Sequence, residues 1–445
     1  MDKQLTHWDT LIVGLGKTGL SVAQFLRDRD VPFAVADSRE NPPGKEDLLE
    51  SCPDVPVFFG AFSEKVFTQA RQLIVNPGVS VHIPEIQAAC KKGAEVIGDI
   101  ELFARSSTRP VIGITGSNGK TTVTKLLTLM AQRAGLKVEM GGNIGIPVLD
   151  LLNKEPVDLY VLELSSFQLE TTYSLNAISA VILNITEDHL DRYDGFAGYA
   201  SAKAKIYEQT ENVLANRDDD DVMTLAKKYQ PISFGLNKPE RSEDFGISES
   251  TDETWLVKGK EQLINAKALK IKGKHNIANA LAALALGDMA GIDMQGMLRG
   301  LRDFEGVEHR SQWVAKINQV NWYNDSKGTN VGATLAALSG LPGKTVLIAG
   351  GQGKGSDFTP LAPVVADRAR AVILLGEDAE KISVALGAFE KKYFVKNMDE
   401  AVQLARDLAE EGDNVLLSPA CASFDMYRSY EERGEIFMHA VRRLS

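Results

Sequence analysis

The stretch from residue 110 to residue 122, PVIGITGSNGKTT, constrains the fold of this 445-residue chain more than any other. The apolar run at residues 111–114 predicts a buried strand, and the small residues 115–119 predict a loop. The next segment stops at Gly135 and carries one apolar helical face, formed by Val123, Leu126, Leu127, Met130 and Ala134. Strand, glycine loop and helix in this order predict a phosphate site, because loop N–H groups and the helix N-terminus point at the anion.

The same loop carries the side chains that a nucleoside triphosphate needs. We predict that Lys120 reaches the outer phosphates and that Thr121 is a ligand of Mg²⁺. The pattern departs from G-x-x-x-x-G-K-[ST] at one position, where Ile114 replaces the first glycine. The alternative is a chance turn before an ordinary helix. The strand and helix on either side favour ATP binding.

Length and composition exclude several other classes of protein. A chain of 445 residues is too long for one core and predicts two to four domains. A formal charge of −11 argues against a nucleic-acid partner. The first residues lack an apolar secretory core, and no apolar run is long enough to span a membrane. Cys52, Cys90 and Cys421 lack metal-ligand spacing and indicate buried or free thiols in a reducing cytoplasm.

A second glycine loop lies near the start of the chain. Residues 11–19 predict a strand that runs into G-x-G-x-x-G, and the next strand ends at Asp37, where an acid can bind a ribose hydroxyl. This pattern is typical of a dinucleotide domain. However, the unit ends near Gly98, which is short for that fold, and a further strand ends in the small-residue loop 76–78. We therefore expect a different nucleotide here, the alternative being a glycine turn needed only for helix packing.

Two polar strand ends follow the phosphate loop. The strand at residues 157–162 ends at Glu163, a carboxylate well placed to hold Mg²⁺ beside the phosphates. The strand at residues 180–184 leads into a loop with His189 among acids. A lone histidine in a loop is usually solvated, so a metal or substrate role for His189 remains one of two alternatives. From spacing alone Lys203 and Lys205 are ordinary surface lysines, and Asp218 to Asp221 predict a solvated turn.

Strands and helices alternate again after residue 304. Strands predicted at residues 345–349, 371–375 and 415–417 each end in small residues, which indicates another parallel sheet with ligand loops at its strand ends. The fold class is therefore α/β with three domains. We expect a Rossmann-like domain at 1–98, a central P-loop ATPase domain with a mostly parallel sheet at 99–303, and a Rossmann-like domain at 304–445. The polar segment 238–254 predicts a loop or an edge hairpin.

Several motifs together resemble those of the Mur ligase family, the ATP-dependent amide-bond ligases of cell-wall precursor synthesis. The resemblance spans all three predicted domains in order and is carried by TGSNGKT (115–121), ELSSFQLE (163–170), Asn184 with DHLDR (188–192), His275-Asn276 and DSK (325–327). Within the family, residues 165–170, 326–330 and 418–423 are most similar to those of members that join D-glutamate to UDP-N-acetylmuramoyl-L-alanine. The resemblance implies this activity, in the cytoplasm, with ATP and two Mg²⁺ ions but no NAD or flavin.

The resemblance also implies the site residues. The implied contacts of the UDP-linked substrate are Lys17, Thr18, Asp37, Ser38, Arg39, Gly78, Asn143 and His189. The implied ATP contacts are Gly116, Ser117, Asn118, Gly119, Lys120, Thr121, Thr122, Asn276, Arg310 and Asp325. The implied D-glutamate contacts are Lys327, Thr329, Lys354, Ser423 and Phe424. The implied catalytic residues are Lys120, Glu163, His189 and Lys203, and the implied metal ligands are Thr121, Glu163, His189 and Lys203, which the family carbamylates.

Two departures and several alternatives accompany this resemblance. Val307-Glu308 stands where the family often has Leu-Pro, and Tyr430 stands where a Phe is often found. The nearest alternative is another Mur-type or folylpolyglutamate-type ligase. From the glycine loop at residues 14–19 and Asp37 alone, a nicotinamide-dependent oxidoreductase is another alternative, and a non-catalytic ATP-binding regulator is a third. We expect small-molecule substrates, no nucleic acid, no membrane span and a monomer.

Overall fold

The computed structural model of the protein describes residues 8–153, 157–188, 192–193, 195–250, 253–271 and 273–444. The predictions made for the first residues of the chain and for His189 therefore lie outside the described residues. Three sheets of five, nine and six strands follow one another along the chain, with helices between the strands. The predicted α/β class with three domains is confirmed.

The first sheet is entirely parallel, with the strand order β3-β2-β1-β4-β5. Its strands are β1 (Thr10–Val13), β2 (Phe33–Asp37), β3 (Val57–Phe59), β4 (Gln72–Val75) and β5 (Glu95–Ile97). Its helices are α1 (Lys17–Arg27), α2 (Lys45–Ser51), α3 (Glu64–Phe67) and α4 (Pro84–Lys91). The order reverses beside β1, so a crevice opens at the carboxyl ends of β1 and β4.

The second sheet has the order β14-β13-β12-β11-β10-β9-β6-β8-β7 and is parallel except at one edge. Its strands are β6 (Val111–Thr115), β7 (Val138–Gly142), β8 (Leu159–Glu163), β9 (Ser179–Ile182), β10 (Val213–Asn216), β11 (Ile232–Phe234), β12 (Phe245–Glu249), β13 (Thr254–Lys258) and β14 (Glu261–Asn265). Its helices are α5 (Asp99–Ser106), α6 (Lys120–Arg133), α7 (Ser166–Glu170), α8 (Gly195–Ala204), α9 (Asp220–Ala226), α10 (Lys274–Met289) and α11 (Met294–Asp303). Short 3₁₀ segments occupy Val148–Asn153, Lys205–Gln209, Lys227–Tyr229 and Ala266–Ala268.

The third sheet has the order β15-β16-β20-β17-β18-β19, and only its β15–β16 edge pair is antiparallel. Its strands are β15 (Gln312–Ile317), β16 (Val320–Asn324), β17 (Thr345–Ala349), β18 (Ala369–Leu374), β19 (Lys392–Phe394) and β20 (Asn414–Leu417). Its helices are α12 (Val331–Gly340), α13 (Leu361–Arg368), α14 (Ala379–Ala385), α15 (Met398–Leu408) and α16 (Tyr430–Arg442).

Three local predictions concern helix α6, the acidic run at residues 218–221 and the polar segment 238–254. Helix α6 ends one residue before Ala134, and Gly135 follows with a left-handed φ of 95°. The acidic run is not only a solvated turn, because Asp219 caps α9 by accepting from Val222 N. The polar segment 238–254 contributes β12 and the start of β13 to an edge hairpin.

The cores show how the domains are joined. One apolar cluster contains residues of the first sheet and of the central sheet together, with Phe103 of α5 packed edge-on against Tyr160 of β8 at 5.0 Å. The first sheet ends at Ile97 and α5 begins at Asp99, so the predicted boundary after residue 98 falls between two elements that share a core. The exact domain limits stay a prediction. None of the described helices is long and apolar enough to cross a membrane.

Candidate active site

The phosphate loop connects β6 to α6, and β6 lies between β9 and β8 in the central sheet. Gly116 and Gly119 have backbone φ angles of 149° and 86°, which residues with a Cβ rarely adopt. A Cβ at Gly119 would lie 2.6 Å from Asn279 Oδ1, and one at Gly116 would lie 3.0 Å from Leu183 Cβ. Ile114, which replaces the first glycine of the G-x-x-x-x-G-K-[ST] pattern, is fully buried in β6. The departure from the pattern therefore lies in the strand and not in the loop. The loop fits a phosphate group, because Gly116 and Gly119 carry no Cβ and let an anion approach the backbone closely.

Two lysines lie at this loop. Lys120 Nζ donates to the carbonyls of Gly116 (2.8 Å) and Ser117 (2.9 Å), and Lys203 Nζ donates to Gly116 O at 3.0 Å. Lys203 is only 2% exposed, so the surface position inferred from spacing alone is wrong, and Tyr199 lies below its ammonium at 4.6 Å. Burial, aided by the charge of Lys120, holds the pKa of Lys203 well below its ordinary value. Burial also lowers the pKa of Lys120, although Glu163 opposes that shift.

Glu163 lies between the phosphate loop and the neighbouring strand end. Its Oε2 accepts from Thr121 Oγ1 at 2.8 Å, and its Oε1 accepts from Asn143 Nδ2 at 3.0 Å. Carboxylate and hydroxyl oxygens are the donors that Mg²⁺ prefers, so this pair fits the predicted metal ion. Among the residues that the structure describes, no group of three or more His, Cys, Asp or Glu side chains is placed to hold a metal. A complete ligand set would therefore need other groups, and predicted His189 lies outside the described ranges.

A cavity of about 280 Å³ lies beside the loop, between the central sheet and the third sheet. It is lined by the predicted ATP contacts Asn118, Gly119, Thr122, Asn276, Arg310 and Asp325. Arg310 also reaches across to the loop, donating from Nη2 to Thr121 Oγ1 at 2.8 Å. Residues 307–310 form a turn that is closed by a hydrogen bond from Arg310 N to Val307 O at 3.2 Å. The unusual Val307-Glu308 pair is therefore compatible with the contact between Arg310 and Thr121.

Asp325 is buried at the wall of this cavity. Its carboxylate accepts from Ser311 N at 2.9 Å and from Ser418 Oγ at 2.7 Å. Burial nevertheless raises its pKa from 3.8 to about 6, because these two hydrogen bonds do not compensate for the lost solvent. The cavity therefore carries a carboxyl group that titrates near neutrality.

A second cavity, of about 590 Å³, lies between the first sheet and the segment after β7. It is lined by all the predicted contacts of the UDP-linked substrate that the structure describes: Lys17, Thr18, Asp37, Ser38, Arg39, Gly78 and Asn143. Asp37 already accepts from Leu15 N at 2.7 Å and from the Arg39 guanidinium at 2.7 and 2.8 Å. Burial acts to raise its pKa, but these bonds outweigh burial and lower it. This arrangement favours a role for Asp37 in holding Arg39 over one in binding a ribose hydroxyl.

The predicted D-glutamate contacts fall at two neighbouring places in the third domain. Lys327 lines the first cavity after β16, with Nζ 3.7 Å from the centre of the Tyr430 ring, and Thr329 follows it. Burial lowers the pKa of Lys327 to about 8. Lys354, Ser423 and Phe424 follow β17 and β20, where a bridge between Gln352 and Ala422 joins the two loops. Phe424 is 65% exposed, and Lys354 Nζ lies 5.9 Å from its ring.

Several residues at these cavities were not predicted as site residues. Asn184 accepts from Asn118 N at 2.8 Å, and Asn279 packs against Gly119. Asn184 follows β9, and this place of an amide at a strand end is a usable sequence signal, whereas Asn279 lies inside α10 and carries none. Buried Arg433 donates to Ser326 and to the carbonyls of Cys421 and Ala422, tying together the loops after β16 and β20. Its place in the first turn of α16 carries no local signal of this role.

Residues 8–98 match the description "Mur ligase MurD-like, N-terminal domain", residues 114–287 match "Mur ligase middle domain", and residues 309–421 match "Mur ligase, glutamate ligase domain". Together these matches cover most of the chain and follow the order of its three sheets.

Curated relatives match the chain over almost its whole length. The UDP-N-acetylmuramoylalanine--D-glutamate ligase of Nitrosococcus oceani is 52% identical over 98% of this chain and 96% of its own. The ligase of the same name from Marinobacter nauticus is 50% identical over 98% of both chains.

Solved structures of lower identity share the fold. A pseudomurein peptide ligase type C from Methanothermus fervidus, 19% identical, superposes with a TM-score of 0.64 over 98% of this chain and 100% of that one. The UDP-N-acetylmuramate-alanine ligase of Thermotoga maritima, 20% identical, gives a TM-score of 0.61 over 99% and 100%. At these identities the likeness concerns the fold alone.

Proposed function

The chain belongs to the Mur ligase family, and on that premise we propose that it catalyses the ATP-dependent addition of D-glutamate to UDP-N-acetylmuramoyl-L-alanine. The observation that carries this proposal is the 52% and 50% identity, over 98% of the chain, to two ligases named for that reaction. The phosphate loop and the two cavities beside it support the proposal. The product is an early precursor of peptidoglycan.

Mg²⁺ fits the oxygen-rich pair of Thr121 and Glu163, and when bound it would neutralise phosphate charge as the phosphoryl group moves. We propose that Lys203, once carbamylated, supplies a further oxygen ligand and that two ions bind. The low pKa of the buried Lys203 amine supports this proposal, because the neutral amine is the form that reacts with carbon dioxide.

The reaction begins with a carboxylate that is too poor an electrophile for an amine at neutral pH. Phosphorylation by ATP converts it to an acyl phosphate, whose phosphate is a good leaving group. Bringing the triphosphate and the carboxylate to ~4 Å costs about 4 kcal/mol at an effective dielectric constant of about 20. We assign the compensation to Lys120 and Arg310, which place positive charge at the phosphate loop.

The amine of D-glutamate then attacks the acyl phosphate, and phosphate leaves from the tetrahedral intermediate. We propose that the amino-acid pocket is formed by Lys327, Thr329, Lys354, Ser423 and Phe424. The two carboxylates of D-glutamate require cations and hydroxyl donors, which these residues include. The low pKa of Lys327, about 8, leaves most of it charged at neutral pH. A pocket built on the third domain implies closure onto the central domain before reaction, which keeps water away from the acyl phosphate.

We further propose that the enzyme acts as a cytoplasmic monomer. Its three cysteines are unpaired, which is typical of a reducing compartment. Both cavities are lined by segments of one chain, which is compatible with a monomer.

Mass analysis of the product tests the assignment. The protein should convert UDP-N-acetylmuramoyl-L-alanine, D-glutamate and ATP into a product that is one glutamyl residue heavier, with release of phosphate. L-glutamate, other amino acids and a folate acceptor serve as controls. Product formation only with another amino acid or with folate would reassign the chain within its class. Nucleotide binding without substrate-dependent phosphate release would instead favour a regulator, and a shift in nicotinamide fluorescence would favour an oxidoreductase.

A further inference from the structure

The side-chain amide of Gln168 is held at both ends. Its Oε1 accepts from Ser165 N at 3.1 Å, as part of the capping box that begins α7, and its Nε2 donates to Asp99 Oδ2 at 3.2 Å. A backbone N–H can only donate, so the oxygen of the amide must face Ser165. The nitrogen must then face Asp99, and the orientation of the amide is determined.

Asp99 carries a carboxyl group that is buried, which is unusual for an acidic side chain. It is 3% exposed at the first turn of α5, and among the described residues its Oδ1 has no hydrogen-bond partner. Burial raises its pKa to about 6 even though Gln168 donates to it. An apolar residue here would avoid this cost of desolvation. The carboxyl group therefore calls for a role beyond packing.

Gln168 connects this buried carboxyl to the larger cavity. Gln168 is itself only 3% exposed, yet it lines the cavity of about 590 Å³ together with Lys17, Arg39 and Asn143. A glutamine amide nitrogen carries two N–H groups, and Asp99 takes one of them. The other N–H is left for a group inside the cavity.

We infer that Asp99 is a positioning residue for substrate binding: by accepting one N–H of Gln168, it presents the other to an acceptor oxygen of the UDP-linked substrate. This inference rests on the proposed function, because it takes the UDP-linked substrate as the occupant of the larger cavity. The acceptor is a phosphate or carbonyl oxygen, since both accept a single N–H.

The surroundings of Asp99 make the inference testable by mutation. Two residues further along α5, Glu101 accepts from Tyr173 N at 2.7 Å and from Ser174 N at 2.9 Å. Gly98 N also donates to Thr171 O at 3.1 Å. These bonds attach α5 to the segment after α7 without using the Asp99 side chain. Variants of Asp99 should therefore keep the two elements together.

The experiment compares Asp99→Leu, which fills the space but cannot accept a hydrogen bond, with Asp99→Asn, which keeps an acceptor oxygen. We expect the leucine variant to raise KM for UDP-N-acetylmuramoyl-L-alanine about tenfold while leaving KM for ATP and D-glutamate unchanged. The asparagine variant should have a KM for UDP-N-acetylmuramoyl-L-alanine close to that of the wild type. Gln168→Leu should raise the same KM, and combining it with Asp99→Leu should add no further increase.

Other outcomes would overturn the inference. These are an unchanged KM in Asp99→Leu, an equal rise in all three KM values, or full additivity in the double variant. Should Asp99→Leu fail to fold, Asp99→Ser takes its place, because the shorter serine side chain does not reach Gln168 Nε2. The same criteria apply to this second variant. The wild-type protein separates the two proposals: if it forms no glutamyl product, the proposed function fails, whereas a product with insensitive KM values refutes only the role of Asp99.

Discussion

Two ammonium groups donate to a single backbone carbonyl, that of Gly116, at the centre of the candidate active site. Their mutual repulsion and their burial favour the neutral form of at least one of them, and Lys203 is the more deeply buried. A neutral amine at this position suits carbamylation, which would replace repulsion with attraction between Lys203 and Lys120. Burial and the charge of Lys120 thus account for a lysine at a position where a metal ligand is expected.

Replacing Lys203 with alanine should remove nearly all ligase activity, and added short carboxylates should restore part of it, because they can occupy the place of the carbamate. Initial rates of phosphate release, with and without acetate, measure this. The matched control is Lys205→Ala, since Lys205 Nζ donates to Glu170 O, away from the loop, and should matter little. Full activity of Lys203→Ala without any carboxylate would contradict the carbamate proposal.

Asp325 provides a prediction about pH. Its carboxyl ionises near pH 3.8 when unfolded and near pH 6 when folded, so the unfolded state loses its proton first as pH rises. The free energy of unfolding therefore decreases between about pH 4 and pH 6, by up to about 3 kcal/mol. Asp325→Asn should be more stable than the wild type at pH 7.5, and this difference should shrink towards pH 4.

Thermal unfolding followed by circular dichroism at both pH values measures the effect. A stability difference that does not change with pH would show that the folded carboxyl has an ordinary pKa. Ligase activity of Asp325→Asn should fall, because the variant places an amide on the wall of the candidate ATP cavity.

At the scale of elements, the loop of the strand–loop–helix unit β6–α6 leaves no room for a side chain at Gly116 or Gly119. Gly119 combines a left-handed φ of 86° with the close approach of Asn279, whose own amide donates to Asn276 Oδ1 at 3.3 Å. The glycine therefore lets α10 bring two asparagines beside the phosphate loop. At α7, the capping box formed by Ser165 and Gln168 likewise places a functional side chain, because it holds Gln168 at the wall of the larger cavity.

Gly119→Ala should lower stability by about 1–3 kcal/mol, because a Cβ is forced into the left-handed region, and should raise KM for ATP as Asn279 is displaced. Gly135→Ala is the matched control: its φ is 95°, but no atom lies within 4 Å of the added Cβ. We expect a similar loss of stability from the control and no change in KM. Thermal melts and ATP titrations measure both quantities, and equal KM values would refute this account of the loop.

At the scale of the whole molecule, each cavity lies where two sheets meet. The first domain and the central domain share one apolar cluster, which makes that junction extensive. The central and third domains meet at the smaller cavity through polar contacts, Arg310 to Thr121 at 2.8 Å and Asn330 to Asn118 at 3.4 Å. Polar junctions of this kind separate more readily than apolar ones, so we expect the third domain to be the part that moves during closure.

Arg310→Ala should raise KM for ATP about tenfold and lower kcat, because it removes both a charge at the phosphates and the link to Thr121. Arg302→Ala, an exposed change on α11, is the control. Limited proteolysis with a non-hydrolysable ATP analogue should protect the wild type more than Arg310→Ala. Equal protection of both proteins would exclude a role for Arg310 in closure.

The sequence by itself determined the α/β class, the three-unit order and the phosphate loop, because local periodicity and glycine spacing encode strand, turn and helix directly. It also pointed, through family motifs, to residues that the structure gathers around two cavities, such as Arg39 with Asn143 and Asn118 with Arg310. Only the tertiary structure decided that Lys203 is buried against Gly116, that Arg310 reaches Thr121, and that Asp99 accepts a hydrogen bond from Gln168. Burial and hydrogen-bond partners distant in sequence arise from the packing of separate elements, and no local pattern in the chain encodes them.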